Sequence, residues 1–547
     1  MKKDILILDI KKKHKIDYLD EQLSWIENKN LEIVSLTPFS SYLLSTKNIN
    51  YKTFHDLCSI EFFRELVLKK YNKLNEIENK FLEFSYIFRD IMRIISYEVY
   101  IYILNNYLLN KEKNLNITYM TDTKKLKINM QNIFSNQLSL LHYNKNINNI
   151  IIIDDKDDKF YKQNKLVHKI KTIYNKSDIF KTIKNKILRK KQFSYDNSIY
   201  SESLESINNN KLKKINIPFY EFKEACLSIL CVKSESDLFP NLYKILLSKF
   251  EEDLKKDVIG YTSNLFTYLS ENKNYVGNMT LKYNKINRIF TQHGSYLYNH
   301  FFYKNCEITP SDINFVSNEY TKKLFKSLNS KKVYNVGSIV FNKKILDKKK
   351  KFDYLYITYN TNYSGNGNYI ESNDCQHSMD GDEIYNRHKA IINLFGKKLK
   401  NKTICIKMQA GIFTDSLLYI PLIELSENFT NIIIEFSTPI HKLIEKSKYI
   451  ISDYFSSEFI NRELHYKRDI LLFLNGPLSL PLNTIEDMKK MFILVDTVED
   501  LNNKINDIET ITKNRERDEK IIEYYSSRKC DTKKVVSEII EKEINGR

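Results

Sequence analysis

The stretch Asn431–Leu474, NIIIEFSTPIHKLIEKSKYIISDYFSSEFINRELHYKRDILLFL, constrains the fold of this chain more than any other. Ile432-Ile433-Ile434, Tyr449-Ile450-Ile451 and Ile470-Leu471-Leu472-Phe473 are short apolar runs with a β-branched bias, the pattern of buried parallel strands. Between the first two runs the sequence predicts a compact helix, with Ser437 as its N-cap and Pro439 in its first turn. A second helix is predicted before the third run, entered through Ser452-Asp453-Tyr454-Phe455-Ser456-Ser457-Glu458. Strand, helix, strand, helix, strand in about 45 residues is a doubly wound α/β sheet in miniature. Both polar connections then fall at strand C-termini and helix N-termini, the edge where such sheets bind ligands. Free N–H groups and the helix dipole favour an anion there, and small hydroxyl side chains add donors. A phosphate-bearing ligand is therefore expected. The plainer reading of the serines is an ordinary hydroxyl cap on a helix.

A second informative spot is Arg288-Ile289-Phe290-Thr291-Gln292-His293-Gly294, a short strand ending in a His-Gly pair. Gly294 lets the backbone turn sharply and a ligand approach closely. A histidine there can act as general base, or donate to phosphate, near neutral pH. The plainer alternative is a histidine that only ties down a turn. Ser311–Tyr320 reads as a strand running into a capped helix, and Val333–Val336 as a strand closed by Gly337. A second Rossmann-like half opens with the strand Tyr354–Tyr359 and a loop, Asn360–Asn368, that contains Gly365 but no true G-x-G-x-x-G. Thr403–Met408 is the next strand and carries Lys407. His377 and His388 lie nearby, and nothing in the sequence promotes either.

Elsewhere, strands are expected at Ile5–Leu8, Glu32–Leu36, Tyr51–Phe54, Ile117–Met120, Ile150–Ile153 and Val258–Tyr261. Helices are expected over Tyr18–Asn28, from Ser40, over Tyr220–Val232 and over Leu238–Lys255. Residues 61–109, apolar-periodic and poor in Gly and Pro, predict one or two long helices. Asp154-Asp155 could suggest a metal site, but Asp157, Asp158 and flanking lysines make a solvated loop the better reading. Residues 156–210 are rich in Lys, Asn and Ser and read as an inserted, partly helical and mobile segment. Glu499–Glu509 and Glu516–Glu543 read as terminal helices.

At 547 residues the chain is too long for one core. The expected division is 1–335, with an insertion at about 156–215, then 336–510, then a helical segment 511–547. The net charge of +18 comes from a composition rich in Lys, Asn, Ile and Tyr, the bias of an AT-rich coding sequence, so it says little about partners. Seven scattered cysteines without a Cys-x-x-Cys pair suggest neither a zinc site nor a disulfide framework. No apolar run reaches the length of a membrane helix, and the N-terminus reads as a strand rather than a signal peptide. The expected location is the cytoplasm, with Lys-rich runs such as Lys348–Lys351 able to contact an anionic inner-membrane face.

The residues from Arg288 to Leu474 resemble bacterial GT-B transferases of the CDP-glycerol glycerophosphotransferase and surface-polysaccharide type. Ile451-Ser452-Asp453-Tyr454-Phe455-Ser456-Ser457 is similar to the family's SDYSS segment, with Phe455 where a serine is usual. His293-Gly294 matches its His-Gly, and Asp312 to Glu319 its strand–helix stretch. Lys407 matches the lysine of Lys-x-His-Pro, but Gln409-Ala410 stand for His-Pro. The first 280 or so residues match only as a Rossmann-like pattern. The resemblance implies two Rossmann-like domains facing across a cleft, and transfer of a sugar or polyol phosphate from a nucleotide-activated donor to a hydroxyl of a surface glycan or lipid-linked acceptor. It implies His293 as catalytic base and Lys407, Ser437, Thr438, Asp453, Ser456 and Ser457 at the donor, with Gly294, Gly337 and Gly365 in nearby loops. No metal or cofactor is required if amides and Lys407 stabilise the leaving phosphate. A sugar-nucleotide epimerase of the same fold is the enzymatic alternative. A basic nucleic-acid-binding protein is the other, disfavoured because the basic residues are spread without a recognised motif.

Overall fold

The computed structural model describes residues 4–10, 31–81, 84, 87–109, 116–122, 140–153, 219–231, 238–255, 266–269, 287–292, 308, 311–337, 349–358, 381–408, 422, 425–435, 438–453, 468–474, 484–527 and 530–545. Strands β1 (Asp4–Asp9), β2 (Leu31–Ser35), β3 (Lys52–Thr53), β4 (Ile117–Thr121) and β5 (Asn149–Ile152) form a parallel sheet in the order β3-β2-β1-β4-β5. The run Ile5-Leu6-Ile7-Leu8 is buried throughout because the sheet is covered on both faces. Ile5 and Ile7 face a core built with Phe63, Val67, Phe88, Phe222 and Tyr243. Leu6 and Leu8 face Leu43 and Leu44 of the helix Pro38–Thr46.

The stretch expected as one or two long helices is divided into Ile60–Asn72, Asn75–Lys80 and Phe88–Leu109. Phe81, Phe84 and Phe88 all meet Phe222 of the helix Tyr220–Leu230, at centroid distances of 5.8, 4.7 and 5.8 Å. The helix Leu238–Lys255 has the bounds expected from its sequence.

β6 (Phe266–Leu269), β7 (Asn287–Thr291), β8 (Ile313–Val316) and β9 (Val333–Asn335) form a second, four-stranded parallel sheet, with its strands in chain order. Arg288–Phe290, expected among the last strands of the first half, thus lies in a separate sheet among the described residues, and β6 falls where the sequence predicts no strand. The expected strand at Val258–Tyr261 and the helix at Tyr18–Asn28 lie outside the described residues, as do the Asp154-Asp155 pair and residues 156–210.

β10 (Phe352–Ile357), β11 (Ile404–Lys407), β12 (Ile432–Glu435), β13 (Ser447–Ser452), β14 (Ile470–Phe473) and β15 (Ile493–Val495) form a six-stranded parallel sheet in the order β12-β11-β10-β13-β14-β15. Counted from its own first strand this is 3-2-1-4-5-6, the Rossmann order. The fold class is the expected one, α/β with Rossmann-like parallel sheets. Tyr354 and Tyr356 face Ile391, Ile392 and Phe395 of the helix Gly381–Lys398, whereas Leu355 and Ile357 face Leu443, Met488 and Ile522.

The chain's end returns to the four-stranded sheet. Val536 and Ile540 of the last helix, Thr532–Asn545, pack on Ile289, Ile313, Phe315 and Val336. Cys530 Sγ donates to the Val336 carbonyl at 3.1 Å, and Glu543 accepts from Lys332 and Tyr334. Tyr320, on the helix Glu319–Ser327, packs against Tyr525 with ring centroids 4.9 Å apart and the rings tilted by 31°, joining this sheet to the helices of the six-stranded one. No helix among the described residues is long and apolar enough to cross a membrane.

Candidate active site

In a parallel sheet every strand C-terminus lies on one edge, so the topology places Thr358, Lys407, Glu435 and Asp453 along one edge of the six-stranded sheet. Thr358 N–H and Oγ1 donate to the Lys407 carbonyl, both at 3.2 Å, and Met408 N–H donates to the Glu435 carbonyl. Lys407 and Glu435 are register partners across β11 and β12. Burial holds the Lys407 ammonium below its ordinary value, while the Glu435 charge opposes that shift. A half-buried cation at this edge is a natural counter-charge for a phosphate.

The helix after β12 differs from the expectation. It spans Ile440–Glu445, with Pro439 itself at the N-cap (φ −54°) rather than in the first turn, and no side chain caps it. Thr438 Oγ1 instead donates to Glu435 Oε2 at 2.7 Å. Ser437, Ser456 and Ser457 lie outside the described residues, as do His293, Gly294 and Gly365.

Asp453 directly follows β13 beside the switch point, where β10 and β13 are neighbours while the strands that follow them lie on opposite sides. Its carboxylate is directed into the sheet's buried face. Tyr356 OH donates to Oδ1 and Oδ2 at 2.8 and 2.7 Å, and His388 Nε2 lies 2.9 Å from Oδ2. All three side chains are buried, and the His388 ring stands edge-on to Tyr356 at 6.0 Å. With the carboxylate accepting, Nε2 carries the imidazole proton. His388 Nδ1 has no hydrogen-bond partner among the described residues.

Sequence reading missed His388. A signal was present: Ile391, Ile392 and Phe395 follow it at the spacing of one helix face, which places an imidazole in an apolar stripe. A buried polar group in such a stripe needs a partner.

On the four-stranded sheet, β7 leads to His293 through Gln292, which is held from several directions. Gln292 N–H donates to the Phe315 carbonyl, and Oε1 accepts from Ser317 N–H at 3.0 Å and from its hydroxyl at 3.3 Å. Its Nε2 donates to Thr321 Oγ1 at 3.3 Å. Asn318 caps the helix that follows β8 by accepting from Thr321 N–H. Gly337, just beyond β9, has φ +73°, a conformation that favours glycine. Among the described residues no group of three or more His, Cys, Asp or Glu side chains could hold a metal ion.

No protein-family model matches the sequence, and no curated protein matches it. Solved structures do. A UDP-GlcNAc 2-epimerase from Neisseria meningitidis bound to UDP-GlcNAc is 13% identical, with 80% of this chain and 94% of that one covered and a TM-score of 0.33. A glycosyltransferase from Rickettsia africae is 14% identical over 57% of this chain and 83% of its own, with a TM-score of 0.31. The pneumococcal O-GlcNAc transferase, in complex with UDP and GlcNAc, is 13% identical over 55% and 60%, with a TM-score of 0.32. At such TM-scores it is this chain's own strand order and side chains that carry its functional reading.

Proposed function

We propose that the chain is a GT-B-type enzyme of nucleotide-activated sugars, a transferase that moves a sugar or polyol phosphate to the hydroxyl of a surface glycan or lipid-linked acceptor. One observation carries this reading. The six-stranded sheet has the Rossmann order, and its ligand-binding edge bears the half-buried Lys407 in register with Glu435. The donor's phosphates would lie at that edge against Lys407 and the hydroxyls of Ser437, Thr438, Ser456 and Ser457. Asp453 belongs to the same site, below the ligand, with its charge engaged by Tyr356 and His388. The acceptor would approach from the first half. His293, carried beyond the pinned Gln292, would take the acceptor's proton as the phosphate leaves.

Thermal denaturation with CMP, CDP, UDP, GDP and dTDP tests the reading. A ligand at about 100 times its Kd stabilises the folded state by about 2.7 kcal/mol, so one nucleotide should raise the melting temperature. If none does, the donor site is refuted. If a sugar nucleotide is converted to its epimer without any acceptor, transfer gives way to epimerisation. The Lys-rich runs suit peripheral contact with an anionic membrane face, which sedimentation with anionic vesicles would detect.

A further inference from the structure

We propose that His388 is a positioning residue: it fixes the Asp453 carboxylate, and thereby the end of β13, in the arrangement that a phosphate-bearing ligand requires. The inference rests on the placement of that ligand at this edge.

Three elements meet at Asp453. Tyr356 comes from β10, His388 from the helix Gly381–Lys398, and the carboxylate from just past the end of β13. Tyr356 OH alone reaches both carboxylate oxygens, so β10 and β13 would be tied together without the imidazole. The histidine therefore adds little that is needed to close the sheet. It also carries a cost, because its ring is only 1% exposed and Nδ1 lacks a partner among the described residues. A buried ring nitrogen without a hydrogen bond is less favourable than the aliphatic side chain that the surrounding Ile391, Ile392 and Phe395 would accept. The Nε2 contact helps satisfy the buried Asp453 carboxylate, but Tyr356 already donates to it, so that charge does not by itself call for a histidine.

The backbone supplies a reason for one. Asp453 N–H reaches the Ile357 carbonyl at 3.3 Å, long for an amide–carbonyl bond. Asp453 lies just past the last residue of β13, so its side chain adds a tie at the point where the ladder ends. Tyr356 approaches both oxygens and so restrains the carboxylate's position. His388 approaches Oδ2 alone and so selects its rotation. A second ring, Phe395, stands edge-on to Tyr356 at 6.0 Å and keeps the phenol in place.

The test uses the full-length chain with His388→Leu, which removes the N–H, and His388→Gln, which keeps an N–H near the position of Nε2. UDP affinity is measured by calorimetry, the melting temperature is measured without nucleotide, and exchange of the Asp453 amide is followed by hydrogen–deuterium exchange. His388→Leu should weaken UDP binding by about tenfold or more, the scale of one lost hydrogen bond to a charged group. It should also speed exchange at Asp453, and His388→Gln should restore most of both. Wild-type affinity in the leucine variant would overturn the proposal. So would equal losses of affinity and of melting temperature in both variants, the mark of a merely structural residue. Failure of the wild type to bind any nucleoside diphosphate would refute the donor site itself. Exchange then decides: a faster Asp453 amide in the leucine variant than in the glutamine variant supports positioning, and equal rates overturn it.

Discussion

Asp312→Asn should loosen the four-stranded sheet at the edge away from Gln292. Asp312 takes a two-pronged contact from Arg288, with Nε to Oδ2 at 2.9 Å and Nη2 to Oδ1 at 3.1 Å, and it also accepts the Arg288 N–H at 3.0 Å. The Arg288 side chain is 4% exposed and that of Asp312 is 21% exposed. Removing one partner of a buried pair typically costs about 3–5 kcal/mol, because the other charge is left uncompensated. Asparagine keeps one acceptor and Asp312 is partly exposed, so the cost falls below that range, at about 2–3 kcal/mol at neutral pH. Burial raises the Asp312 carboxyl, but the hydrogen bonds and charge of Arg288, with Lys331 beyond, outweigh it and hold it below its ordinary value. A depressed folded value means the stabilisation is present above about pH 3.9, the ordinary unfolded aspartate value, and is lost as pH falls through the folded one. The deficit of the variant should therefore be full at pH 7 and should shrink in strong acid. Denaturant unfolding at several pH values reads it, with hydrogen exchange of the Arg288–Thr291 amides identifying the transition that belongs to this sheet. A deficit under about 0.5 kcal/mol at pH 7, the range of an ordinary surface change, or one that does not shrink in acid, would refute the reasoning.

Replacing Ser456 and Ser457 together by Ala should weaken nucleotide binding by about 1.5–3 kcal/mol for each lost bond to phosphate, with the fold intact; unchanged calorimetric affinity would return them to a capping role. His293→Ala should lower kcat by about 10²–10⁴-fold and remove the acidic limb of the pH–rate profile; a His293→Asn variant that keeps both would move the base elsewhere. Gly396→Ala would place a Cβ 2.2 Å from Phe429 Cγ, so it should lower the melting temperature despite alanine's better helix propensity. Removing residues 531–547 should strip the cover from Ile289, Ile313, Phe315 and Val336 and promote aggregation, readable by light scattering.

Five strands of the six-stranded sheet, all but Ile493–Val495, were legible because each is a short apolar run with polar flanks, and burial on both faces leaves no other use for such a run. The strand–helix unit from Ile313 to Ser327 was legible for the same reason, helped by the Asn318 cap. Helix boundaries were less so: Thr438 prefers the nearby Glu435 carboxylate, and the start of the following helix moves to Pro439. The division of the first half into two sheets was not legible, since strand pairing depends on contacts between runs that look alike. The His388–Asp453–Tyr356 cluster was hidden by distance, its members lying 65 and 97 residues from Asp453 along the chain. Only the strand order brings them to one face.

That cluster also has a counterpart in the first sheet. Tyr119 OH donates to Asp9 Oδ2 at 2.6 Å, joining β1 to β4 as Tyr356 and Asp453 join β10 to the end of β13. In each sheet these are the first and fourth strands, neighbours across the point where the order reverses. In each the tyrosine lies two residues before the position opposite the aspartate, so both point to the same face. A histidine ring stands edge-on to each tyrosine, His142 at 5.4 Å and His388 at 6.0 Å. The roles are exchanged, however: the first strand gives the aspartate in one sheet and the tyrosine in the other. No repeat in the sequence could show this, because the likeness lies in geometry and not in residue order. At a switch point the chain leaves adjacent strands in opposite directions, so the ladder has no further residues with which to hold them together. A buried, charge-assisted hydrogen bond at that fork supplies the missing tie, and it does so directly beneath the edge where such sheets receive their ligands.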